Sequence, residues 1–278
     1  MLGLSKKNKN LPTPTEEEGE MGFLEHLEEL RWHIIRSVGA IVVLAIVFYI
    51  FESWVFDNII FWPKQESFLT YRFFCSISEA TCFQPPEFGL QVKELGEQFF
   101  TSLKVCMSLG FIVGFPYIFW EFWNFLKPGL YPGEQKAARG IVAYCSMLFI
   151  GGALFGYFVI APFAIKFLVG YNLSSEIIID PTLASYVSYL TMFTIPTGIV
   201  FELPIVVYFL SKIGLLTPDF MRKYRKHALI IILILASVIT PPDVTSQFLI
   251  GIPLFFLYEV SIHISRRVEK ANQLKENS

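Results

Sequence analysis

Glu202 is the one charged residue in Ile199-Val-Phe-Glu-Leu-Pro-Ile-Val-Val-Tyr-Phe-Leu210. Placing a carboxylate in so apolar a run costs about 3 kcal/mol in a bilayer, so it marks either a functional site or a specific buried pairing. Its possible chemistry is to hold a proton, accept a hydrogen bond or meet a cation. Other carboxylates stand at the edges of apolar runs. Glu29 lies in Glu25-His-Leu-Glu-Glu-Leu-Arg31, ahead of one run, and Glu134 closes Trp123-Asn-Phe-Leu-Lys-Pro-Gly-Leu-Tyr-Pro-Gly-Glu134, after another. Read as helix, Leu24, Leu27, Leu30 and Ile34 form an apolar stripe, leaving Glu25, His26, Glu29 and His33 to face outward or across a groove. An amphipathic lead-in with solvated charges and a polar site both remain open. Glu134 follows two Pro-Gly turns and would equally open or cap the next helix. Glu121, late in the second run, has no evident role.

Enzyme chemistry finds no foothold. There is no His-Glu-x-x-His metal site, Gly-x-Ser-x-Gly elbow, Walker loop or Gly-x-Gly-x-x-Gly fingerprint. The histidines, at positions 26, 33, 227 and 263, are scattered near the ends of apolar runs, where interfacial or solvated side chains are expected. A net charge of −2 without a large basic region argues against nucleic acid. No cofactor is called for. A secondary transporter of a small solute or ion would also use a midplane carboxylate and broken helices, but such proteins often show inverted repeats, and no internal repeat is visible.

The elements that carry these residues follow from composition. Hydrophobic residues make up 54% of the 278 and charged ones 17%, against about 25% in soluble domains. Six stretches read as membrane helices, because lipid offers no partner to an unpaired backbone amide. They cover about 34–51, 99–125, 140–167, 186–210, 228–240 and 248–264, and prolines 116, 162, 196, 204 and 253 should kink them. The fifth has only 13 residues, 228–240. As a helix it spans roughly 20 Å, short of a bilayer core, so a tilted, thinned or re-entrant arrangement is expected. The predicted class is an all-α integral membrane protein.

Lys and Arg sort the connections. Lys6, Lys7, Lys9, Arg31 and Arg36 precede or open the first span, Lys127, Lys136 and Arg139 lie between the second and third, and Arg222, Lys223, Arg225 and Lys226 precede the fifth. The other side has Lys64, Arg72, Lys93 and Lys166. The positive-inside rule then puts both termini in the cytoplasm. Residues 1–20 and 269–278 read as polar cytoplasmic tails, the first disordered. Cys106 and Cys145 fall in spans as packing residues. Cys75 and Cys82 share the long outer loop, where an oxidising compartment would permit a disulfide, although spacing alone leaves two free thiols equally open.

Four motifs occur in order at fixed places relative to the spans: His26-Leu-x-Glu-Leu-Arg31, Phe125-x-x-Pro-Gly-Leu-Tyr-x-x-Glu134, Phe201-Glu-x-Pro204 and Thr240-Pro-Pro-Asp-x-x-Ser-Gln247. Together they resemble the TatC family, the core receptor subunit of the twin-arginine protein translocase, over about residues 21–268. The resemblance implies a cupped bundle of six helices with short fifth and sixth members, in a bacterial-type cytoplasmic membrane. It implies binding of twin-arginine signal peptides on folded cargo, recruitment of small single-span partners of the TatA/TatB type, association with other copies of itself, and transport driven by the proton-motive force.

Carried over by motif, Glu29 and Glu134 are the carboxylates that meet the two arginines, a pairing in which guanidinium offers parallel hydrogen bonds that Lys cannot copy. Phe125 and Arg31 match positions beside that site; the simpler reading makes them a packing side chain and a local partner for a carboxylate. Glu202 becomes a polar point on an intramembrane face, open to a partner helix. On the outer side, Pro63, Pro241, Pro242, Asp243 and Gln247 match family positions, with Asp243 expected to cap the last helix. The insertion around 68–86, which holds Cys75 and Cys82, departs from the more compact members.

Overall fold

Apolar runs turn into helices; Pro116, Pro196 and Pro253 lie inside continuous ones, and Pro204 follows a break. The structure is a computed structural model, and it describes residues 23–79, 82–126, 138–174, 179–239 and 244–276. In chain order the helices are α1 (Phe23–Ile50), α2 (Glu52–Val55), α3 (Leu69–Ile77), α4 (Glu97–Leu126), α5 (Ala138–Phe155), α6 (Ala161–Gly170), α7 (Leu183–Val200), α8 (Leu203–Lys212), α9 (Pro218–Lys223), α10 (Arg225–Ile239) and α11 (Val244–Glu276). Single π-helical turns, Phe56–Ile60 and Gly156–Ile160, follow α2 and join α5 to α6. Gln91 and Thr182 form an isolated parallel bridge. Five stretches are long and apolar enough to cross a membrane: Leu27–Ile50, Glu97–Leu126, Gly140–Gly170, Leu183–Lys212 and Gln247–Leu274. This is an all-α, multi-pass membrane protein.

α10 corresponds to the expected short fifth span. Its 15 residues cover about 22 Å, so it falls below the length of the other five. The last helix differs from expectation. Rather than ending near residue 264 with a polar tail, α11 runs for 33 residues to Glu276. Residues 266–276 are mostly good helix formers without Gly or Pro, so nothing stops the helix where the apolar stretch ends.

α1 packs chiefly on α4, α5 on α7, and α8 on α11. The α1–α4 crossing is close because Gly110 has no side chain: a Cβ there would meet the Ile41 carbonyl at 2.8 Å. Ala164, Tyr186, Val187, Leu190 and Phe193 form one part of the buried core, and Val207, Ile250, Leu254 and Ile262 another.

A proline cannot donate to the carbonyl four residues back. Pro162 therefore frees the Phe158 carbonyl, which accepts from the Thr70 hydroxyl. In the π-helical turn ahead of Pro63, the Ile59 carbonyl accepts from Tyr157 Oη at 2.5 Å. Beside it, Tyr186 Oη donates to the Ile60 carbonyl at 2.8 Å. Pro204 breaks the fourth long span: helix stops at Val200, residues 201 and 202 form a turn, and α8 begins at Leu203.

Candidate functional site

At one end of the bundle the start of α1 meets the end of α4. Four-residue spacing puts Tyr117, Glu121 and Phe125 on one face of α4, and Glu29 and His33 on one face of α1. His33 Nδ1 stands 2.5 Å from Glu121 Oε2. The other Glu121 oxygen accepts from Tyr117 Oη at 2.7 Å, and Arg36 Nη1 lies 3.9 Å from Oε2. Glu121 is 2% exposed. The Phe125 ring meets the imidazole edge-on, with centroids 6.2 Å apart.

Glu29 borders this cluster. Its Oε1 is 4.0 Å from His33 Nε2, and its Oε2 is buried without a hydrogen-bond partner. Trp123 Nε1 is likewise buried and unpartnered, beside Phe209. Arg31 is exposed and has no ion-pair partner among the described residues. Glu134 lies outside the described residues. Of the two expectations for His33, facing outward or across a groove, the second holds: its side chain is 13% exposed and bound to a residue 88 positions away. Glu121, which had no assigned role, is its anchor.

Glu202 occupies the turn between α7 and α8, not the middle of a continuous helix. It is half-buried, and among the described residues no well-formed hydrogen bond satisfies either carboxylate oxygen. The Cys145 thiol and the Phe149 backbone lie beside it. Just beyond, Pro204 and Tyr208 of α8 face Ile141, Tyr144 and Leu148 of α5 across an apolar groove of about 360 Å³.

The opposite end is tied down. Pro63 is buried and its carbonyl accepts from Tyr71 Oη at 3.0 Å. Burial pushes the Tyr71 hydroxyl above its usual range and the Lys64 ammonium below its own. Lys64 Nζ donates to the Phe88 carbonyl at 2.9 Å. Cys75 and Cys82 are joined by a disulfide, and next to it Phe74 and Phe83 pack on Phe163 of α6. Glu97, which the sequence did not single out, accepts from the amides of Lys93, Glu94 and Ala184, fastening the loop and α7 to the start of α4. Gln247 Nε2 donates to the Leu233 carbonyl at 3.1 Å, linking α11 to α10. Pro241, Pro242 and Asp243 lie outside the described residues. Among the described residues, no three His, Cys, Asp or Glu side chains stand close enough to hold a metal ion.

This arrangement presents carboxylates without saturating partners at two separate places. It suits recognition of cationic or polar groups rather than covalent chemistry. Comparisons with known proteins bear on what is recognised. The family model for "Sec-independent protein translocase protein (TatC)" matches residues 25–253. The protein of that name from Blattabacterium sp. subsp. Periplaneta americana is 42% identical over 263 residues, covering 91% of this chain and 98% of its own. That from Campylobacter jejuni is 35% identical, covering 91% and 96%. The crystal structure of a "Twin Arginine Translocase Receptor- TatC" is similar with a TM-score of 0.68 at 32% identity, covering 88% of this chain and 100% of that one. A second, of such a receptor in DDM, gives 0.69 at 33% identity, covering 87% and 99%.

Proposed function

The chain belongs to the TatC family of Sec-independent protein translocase proteins, whose work is transport rather than catalysis, and from that premise we propose that it is the signal-peptide receptor of a twin-arginine translocase. The observation that carries this reading is Glu29: one carboxylate oxygen is buried with no partner, and the other has only His33 at 4.0 Å. A guanidinium arriving there would satisfy both oxygens. Glu134 supplies the acceptor for the second arginine, and Phe125 lies at the mouth of the site. Fully exposed pairs are worth only about 0 to 1 kcal/mol, so affinity depends on the part-buried geometry and on contact with the peptide's apolar segment.

Orientation completes the reading. The basic connections belong to the Glu29 end, and on the positive-inside rule that end and both termini face the cytoplasm from a cytoplasmic membrane. Glu202 and the groove beside it receive a polar group from a small single-span partner of the TatA/TatB type. α10 then makes a sixth, short span. The proton-motive force supplies the energy, and further copies of this chain assemble alongside.

The test is binding of a labelled twin-arginine peptide to the purified chain, against the same peptide with paired lysines. Preference for arginine that disappears on Glu29→Gln is the expected result. Equal binding of both peptides would overturn the assignment.

A further inference from the structure

Glu29 and Glu121 approach the two nitrogens of one imidazole from opposite sides. Glu121 lies 2.5 Å from His33 Nδ1, and Glu29 lies 4.0 Å from Nε2. A carboxylate only accepts hydrogen bonds, so the contact with Glu121 puts the hydrogen on Nδ1. The state of Nε2 is then not free to vary by tautomer. It carries a lone pair when the ring is neutral and an N–H when the ring is protonated.

We propose that His33 is a positioning residue for recognition, deciding through Nε2 whether Glu29 is open to an incoming guanidinium. The proposal rests on Glu29 being the arginine acceptor described above. In the neutral ring the lone pair faces Glu29 and repels its carboxylate, leaving both oxygens to the peptide. In the protonated ring Nε2–H donates to Glu29 and competes with the peptide's arginine. Phe125, edge-on to the ring, and Tyr117, bound to the second Glu121 oxygen, keep the pair in place.

α1 packs chiefly on α4. Among the described residues α1 contributes Glu29 and Arg36, and α4 contributes Glu121 and Tyr117. Imidazole is the side chain that ordinarily changes charge between about pH 5 and pH 8, whereas carboxylates, phenols and guanidinium do so outside that interval.

The experiment follows twin-arginine peptide binding to the intact chain in detergent from pH 5 to pH 8. Affinity is expected to rise about fivefold with pH, the size of one part-exposed ion pair. His33→Gln keeps a donor to Glu121 but does not titrate, and should bind with no pH slope. Glu121→Gln no longer fixes the tautomer, so neutral His33 can still donate to Glu29, and the slope should flatten. A flat wild-type profile, or a wild-type slope in folded His33→Gln, overturns the proposal. If His33→Gln does not fold, the slope in Glu121→Gln decides. Loss of preference for arginine over lysine in the wild type would instead remove the acceptor reading itself, so the two failures are distinguishable.

Discussion

The Phe193 carbonyl lies so close to the Cα of Gly156 that a Cβ on that glycine would overlap the oxygen. The obstacle is backbone, which cannot swing aside as a side chain can. Gly156→Ala is therefore expected to lose about 2 kcal/mol or more, or to prevent accumulation of the folded protein. At Gly151, on α5, a methyl group would meet nothing within 4 Å, so Gly151→Ala should be neutral. Thermal stability of the two variants in detergent checks the contrast.

Tyrosine hydroxyls close carbonyls that the π-helical turn leaves open. Tyr186→Phe should cost about 1 to 3 kcal/mol by stranding the Ile60 carbonyl. Tyr157→Phe strands the neighbouring Ile59 carbonyl and should cost a similar amount. A double-mutant cycle of melting temperatures measures how far the two are coupled.

The disulfide closes a short loop whose neighbours, Phe74 and Phe83, rest on Phe163. Replacing Cys75 and Cys82 together by Ser should lower the stability of this segment by about 2 to 3 kcal/mol on the chain-entropy account. Limited proteolysis should then cut near residues 78–86 while the bundle persists. Undiminished resistance to cutting would show that aromatic packing alone holds the insertion.

On the proposed reading Glu202 serves a step after recognition. Glu202→Leu should insert normally and bind a twin-arginine peptide as the wild type does, while export of a twin-arginine reporter falls at least tenfold, equivalent to about 1.4 kcal/mol. Loss of peptide binding in this variant would instead tie Glu202 to recognition.

What is readable in the sequence divides by range. The five long spans, the break ahead of Pro204 and the short α10 follow from local composition, because helix length and backbone hydrogen bonding are local matters. The four-residue spacing of Tyr117, Glu121 and Phe125 is also on view, but its meaning depends on which α1 residue faces it. His33 and Glu121 are separated by 88 positions, and each alone looks like an ordinary end-of-helix polar residue. Glu202 falls in the expected run, yet the turn at 201–202 reflects Pro204 acting with the packing of Phe201 on Phe155. The length of α11 escapes a hydropathy reading because hydropathy reports where lipid ends, whereas helix propensity decides where the helix ends.

That length has a geometric consequence. Thirty-three residues make a rod of about 50 Å, against a hydrocarbon layer of about 30 Å. A straight α11 is therefore about 20 Å longer than that layer is thick, with Leu274 exposed near its tip. A fluorophore or tag placed there would sit on a continuous helix, so its distance to labels elsewhere on the bundle could be read without a flexible linker between them.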